Sequence, residues 1–221
     1  MSWMDVCWTA MAAACLTLGS VHLLIWNQNR SEMAHLFFAL AAYSVVLTGV
    51  LELLTMHADL VQAYAQYVRL AHLPLATMFI ALVAFVRLHL HVGRAWLGHL
   101  AWGLRVLTLV PNFTTGVNVN FLHVDQLLVL PTWGGAEYVA PIGVANPWMA
   151  LPQLSNLLMV AFFVDAAVTA WRGESASRAK VLRIFLSMAL FLAAGALGNL
   201  RVLVAGIPFP VAVLPALPAL V

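Results

Sequence analysis

Glu52, Arg69, His72, Arg105 and Asp165 stand inside long apolar stretches of the sequence. An ionisable side chain in hydrocarbon is costly and rare, and it marks a partner, a water-filled cavity or a ligand. Ser44, Thr48, Glu52 and Thr55 follow one another at steps of four, four and three, which puts all of them on one helix face. Arg69 and His72 share a face in the next stretch, and Arg105, Thr108 and Asn112 share one in the stretch after it. Asn199 and Arg201 come near the end of a later stretch. Counted along their helices, Glu52, Arg69, His72, Arg105 and Arg201 fall within one to two turns of the same membrane surface. That grouping describes a wet, net-positive cavity for a small anionic or polar ligand, held by the planar donor forks of arginine. Two plainer readings compete with it. Each arginine can snorkel alone to the headgroups, or Glu52 can pair with one of them as a helix clamp.

Asp165 belongs to the opposite layer. It precedes Trp171 by six residues, about 9 Å of helix. Arg87, Arg183 and Lys180 lie toward that surface as candidate partners, and two readings follow: Asp165 with Arg87 and Arg183 is a latch able to relay a signal, or Asp165 faces a water pocket. None of the eight histidines shows a strong metal-ligand spacing such as His-Glu-x-x-His. A bis-histidine haem would need two rings on facing helices, which spacing alone does not fix. No metal site is assigned, and the cofactor is left open. Nucleophile elbows, phosphate-binding glycine loops and kinase signatures are missing from the sequence.

These groups have to be positioned by elements suited to lipid. The chain is 64% hydrophobic and 8% charged, a balance that excludes a water-soluble domain of this size. A net charge of +2 without any basic run gives no reason to expect nucleic acid as a partner. Cys7 and Cys15 are eight residues apart on one helix, about 12 Å, too far for a mutual disulfide. The first 26 residues lack a basic leader and are read as a retained span, not a secretory signal.

Apolar stretches over 3–26, 34–56, 65–89, 96–111, 148–171 and 181–205 each approach the length a membrane helix needs, the fourth being the shortest. A seventh begins near Val211 and has eleven residues before Val221, so the sequence is read as a piece ending inside its seventh helix. The expected fold is an all-α seven-helix transmembrane bundle forming a single domain over 1–221. Trp3 and Trp26, and Trp148 and Trp171, are each 23 residues apart, which sets each pair at opposite headgroup layers. Arg30, Arg87, Arg94, Arg172, Arg178, Lys180 and Arg183 flank alternate connections, while 57–64, 112–147 and 206–210 carry no Lys or Arg. The positive-inside rule then places the amino terminus outside and the carboxyl end in the cytoplasm. The long outer loop, 112–147, alternates over "VNVNFLHV" and again over "AEYVAPIGV" across a Gly-Gly, so a small β-hairpin or lid is expected there.

The stretch "GVANPWMALPQLSNLLMVAFFVDAAVTAWRG", together with "NFTTGVNVNF", "LELLTMHA" and "RLAHLPLA", resembles the seven-transmembrane sensory modules that precede PAS and kinase domains in bacterial sensor histidine kinases. The resemblance implies a receptor in the bacterial inner membrane that binds a small polar, anionic or membrane-dissolved signal and relays it to a cytoplasmic kinase. It implies no catalytic domain in this chain, a histidine kinase as the full-length protein, and a second copy of the chain as a further partner beside the bilayer. Asn112, Asn118, Asn120, Asn146, Pro147, Trp148, Gln153 and Asp165 fall on the matching positions and become sensing or packing candidates. The ligand candidates are thus Glu52, Arg69, His72, Arg105, Asn112, Asn118, Asn120 and Arg201. A transporter or channel, or a haem- or quinone-associated membrane subunit, is the alternative. Against transport, neither an internal repeat nor a matched pair of interrupted helices is visible.

Overall fold

The computed structural model describes residues 2–131 and 137–172. The sixth and seventh expected spans, with Lys180, Arg183 and Arg201, lie outside the described residues. Helix α1 covers Trp3–Gln28, α2 Met33–Met56 and α3 Val61–Phe85, the last running into a π-helical turn at Val86–Leu90. Helices α4 (Ala95–Leu107) and α5 (Leu109–Thr114) come next. Strands β1 (Phe121–Pro131) and β2 (Glu137–Ala145) then precede a 3-10 turn at Pro147–Met149 and helix α6 (Ala150–Arg172).

Four of these helical segments, Trp3–Gln28, Met33–Met56, Val61–Leu90 and Pro147–Arg172, are long and apolar enough to cross a membrane. Their outer faces carry Leu16, Leu24, Leu47, Leu73, Leu157 and Val164 in exposed positions, a surface that suits lipid and not water. Trp148 and Trp171 are both exposed at the two ends of the last segment, as expected of interfacial anchors.

The expected fourth span, 96–111, departs from this pattern. Helix α4 has 13 residues and α5 has 6, each short of the roughly 20 that a straight crossing needs. Pro111 explains the break: it has no N–H to donate to Leu107, and the helix restarts beyond Thr108.

Ser2 opens α1 with a capping box. Its hydroxyl accepts from Asp5 N at 3.1 Å, and its own N–H donates to the Asp5 carboxylate at 2.6 Å. The other carboxylate oxygen of Asp5 meets His57 Nε2 at 2.8 Å, which fixes the start of α1 to the end of α2. Met4, Trp8, Met11 and Met56 form a small core at that end.

The main core lies among α3, α4 and α6. Phe79, Met159, Phe162, Phe163, Ala101 and Ala166 are fully or almost fully buried there. The turn into α4 approaches this core closely. Gly93 has φ +80°, and a Cβ on it would come within 2.8 Å of the Phe162 ring. Only glycine meets both demands without strain.

The two strands pair antiparallel, from Phe121 opposite Ala145 to Pro131 opposite Glu137, with irregularities near His123 and Gln126. The first strand was expected over 117–124, but it starts at Phe121. Residues 117–120 form a stitched turn instead, for reasons given below. The connecting residues 132–136 lie outside the described set.

Gly93→Ala should destabilise the protein by about 1–3 kcal/mol, through overpacking and a disfavoured φ. Gly103→Ala, where nothing lies within 4 Å of the added methyl, should be close to neutral. Thermal unfolding of the two variants in detergent compares them directly.

Candidate functional site

At the end of the bundle that holds Trp3, Met56 and α5, three asparagine side chains are fully buried: Asn112, Asn118 and Asn146. A buried amide with four hydrogen-bonding positions is tolerated only when its partners are present. Asn112, on α5, donates to Arg69 O at 2.9 Å and accepts from Val119 N at 3.1 Å. The Asn118 carbonyl oxygen accepts from Asn120 N and Phe121 N, each at 3.0 Å, and its amide donates to Ala65 O at 3.3 Å. Asn146 donates to Thr115 Oγ1 and to Asn118 O, each at 3.0 Å, and accepts from Trp148 N at 3.2 Å.

These bonds explain why 117–120 cannot continue as a strand. The N–H groups of 119–121 are held by asparagine oxygens, while Val117 N and Asn118 N donate to Phe121 O at 3.2 Å. Gly116 reverses the chain at φ +59°, and a Cβ there would sit 2.6 Å from Leu122 Cα. Asn112 and Asn118 are therefore braces for the loop, with their polar atoms directed at backbone. Asn120 joins through its backbone, receiving the Asn146 N–H at 2.9 Å on its carbonyl.

The cationic candidates are divided by the same architecture. Arg69 Nη2 donates to Gly116 O at 3.1 Å, and its guanidinium lies 6.0 Å from the Phe113 ring centre. Arg105 turns toward α6. It is 3% exposed, donates to Pro152 O at 3.2 Å and to the Asn156 side-chain oxygen, and lies 4.3 Å from the centre of the Phe79 ring. Arg69 and Arg105 thus bond different segments, Arg69 the turn at Gly116 and Arg105 the first turns of α6. No ion pair joins Glu52 to either arginine among the described residues. The expected polar face of α2 is also largely self-contained: Ser44, Thr48 and Thr55 donate to carbonyls four residues back on their own helix.

His72 and Arg105 of the expected set are both buried, at 6% and 3% exposure. Arg105 Nε and His72 Nδ1 are both buried without a hydrogen-bond partner, as is Arg69 Nε. Buried polar atoms of this kind are few in native proteins and call for an explanation.

At the opposite end, Asp165 finds a partner the sequence reading did not assign. Arg94, at the cap of α4, gives its backbone N–H to Asp165 Oδ2 at 2.8 Å, and its Nε lies 3.3 Å from Oδ1. A carboxylate at a helix start satisfies an orphan N–H and complements the helix dipole. Arg87 instead donates to Gly93 O at 2.8 Å and so closes the turn before α4. Asn156 was likewise missed as the acceptor for Arg105. Its neighbour Ser155 donates to Ala101 O at 2.8 Å, so this turn of α6 meets α4 at two adjacent positions.

The fold is mostly helical, with four helical segments long and apolar enough to cross a membrane, a small two-stranded sheet at one end, and an apolar seam between α4 and α6 fastened by polar contacts at both ends. Comparison with protein-family models, with curated proteins and with solved structures finds no match.

Asn118→Ala should leave Ala65 O and the N–H groups of Asn120 and Phe121 unsatisfied, at a cost of about 1–3 kcal/mol. Asn120→Ala keeps the backbone bonds and should cost far less. Hydrogen exchange at Asn120 and Phe121, with thermal midpoints in detergent, checks both outcomes.

Proposed function

We propose that the chain is the sensory module of a bacterial membrane-bound sensor histidine kinase, and that a small anionic or polar signal binds at Arg105 and His72. The observation that supports this reading is the buried Arg105 guanidinium, whose Nε has no hydrogen-bond partner and to which no carboxylate is bonded among the described residues; His72 Nδ1 is likewise buried without a partner. A buried cation with only neutral acceptors is poorly compensated, and an anion at that point would supply the missing counter-charge. Arginine offers a planar fork suited to a carboxylate or phosphate oxygen pair.

Relay follows from how α4 and α6 are joined. Arg105 grips Pro152 and Asn156 at one end, and Arg94 grips Asp165 at the other. From Arg94 to Arg105 is about 16 Å of helix, so the two attachments sit in different layers. A ligand that pulls Arg105 away from Asn156 would change how α6 lies on α4. It would shift the bundle only by its difference in affinity for the two arrangements. Placed by the positive-inside rule, the Arg105 end faces outward and the Arg172 end faces the cytoplasm, toward a kinase.

In the full receptor, Arg105→Ala should abolish the response to signal while insertion and folding persist. A normal response from that variant would remove the binding site from consideration. Asp165→Asn should alter basal kinase output and leave the signal concentration for half-response unchanged. Phosphorylation assays on membranes containing each variant measure both.

A further inference from the structure

His22 on α1 and His35 on α2 face each other at the Gln28 end, away from Arg105, with their Nδ1 atoms 2.9 Å apart. Their ring centres are 4.8 Å apart. The His22 ring is held from its other side by stacking on Phe38, at 3.9 Å between centres and 26° between planes. Phe38 in turn meets Phe85 of α3 edge-on at 5.5 Å, and Phe85 stacks on His89 at 5.2 Å. This aromatic ladder holds the orientation of the His22 ring, and with it the direction in which its Nδ1 points. Among the described residues no carboxylate bonds either imidazole.

We propose that His22 and His35 form a two-imidazole site for a tetragonal divalent transition-metal ion, of the Cu2+ or Ni2+ class. Two metal–nitrogen bonds of about 2.0–2.1 Å closing at a right angle hold their nitrogens about 2.9 Å apart. The observed separation is that of the hydrogen bond between the two Nδ1 atoms in the metal-free pair; it is compatible with that angle and shorter than a tetrahedral ion would set. Imidazole nitrogens with a right-angled geometry favour copper or nickel over zinc. Neither Nε2 is among the buried, partnerless polar atoms, so each can carry its proton while Nδ1 binds. The metal then replaces the proton that the two Nδ1 atoms otherwise share, and that proton moves to Nε2 through water. Both rings are only partly buried and lie close to a helix end, so an ion and its remaining water ligands have access.

The test is Cu2+ titration of the purified full chain in detergent after chelator treatment, by calorimetry and electron paramagnetic resonance. One Cu2+ per chain with coupling to two nitrogens is expected. His22→Phe, which keeps the stack on Phe38, and His35→Ala should each weaken binding by roughly tenfold or more, at least the loss a supporting residue brings at metal sites. His99→Ala, on α4, should bind as the wild type does. Unchanged helical circular dichroism and elution volume establish that each variant is folded. Binding unaltered in the His22→Phe/His35→Ala double variant, or no binding by the wild type, overturns the proposal and leaves the pair as a hydrogen-bonded clamp between two helices.

Discussion

Asn112, Asn118 and Asn146, themselves fully buried, satisfy the backbone of a partly buried chain reversal, and the segments that meet at the Trp3 end of the bundle are joined through those bonds. Backbone N–H and C=O groups removed from water must be paired, and neither a helix nor a strand pairs them between Thr115 and Phe121. The three amides do so, reaching the carbonyls of Ala65 and Arg69 on α3, the hydroxyl of Thr115 after α5, and the Asn118 carbonyl in the turn itself. Through these bonds α3, α5, the start of β1 and the entry to α6 become one unit. Loss of any one amide leaves donors and acceptors without solvent to replace it, which is why such networks are either complete or costly.

The second constraint is the seam between α4 and α6. Phe162 and Phe163 fill it, Gly93 allows the chain to approach it, and charged side chains close it at both ends. Arg105 keeps its hydrophobic stem and guanidinium against Phe79, a cation–π contact that is stronger where water is excluded. The seam thus combines dry packing with polar fastenings at separate depths.

Depth along the membrane and direction around a helix differ in how legible they are. Counting residues at 1.5 Å each places Glu52, Arg69 and Arg105 in one layer, and the sequence supports that much. Whether they meet depends on how each helix is rotated against its neighbours. Arg69 turns to Gly116 and Arg105 to Asn156, so side chains of similar depth serve different contacts. The same limit explains Asp165. Its layer was readable from Trp171, but its partner Arg94 comes from a turn whose path is set by Gly93 against Phe162.

The sequence by itself determined the solvent and the elements suited to it. Long apolar runs must bury backbone polarity internally, so Trp3–Gln28, Met33–Met56, Val61–Leu90 and Pro147–Arg172 become helices of membrane length. Tryptophan spacing is visible in the same way, whereas the strand after α5 begins only at Phe121, where the asparagine bonds end, and its burial does not alternate. Only the tertiary structure decided which polar groups face one another: Asn118 with Ala65, Arg105 with Asn156, Asp165 with Arg94 and His22 with His35. The physical reason is that helix periodicity fixes which residues share a face, whereas the face that turns inward is chosen by close packing between segments distant in the chain.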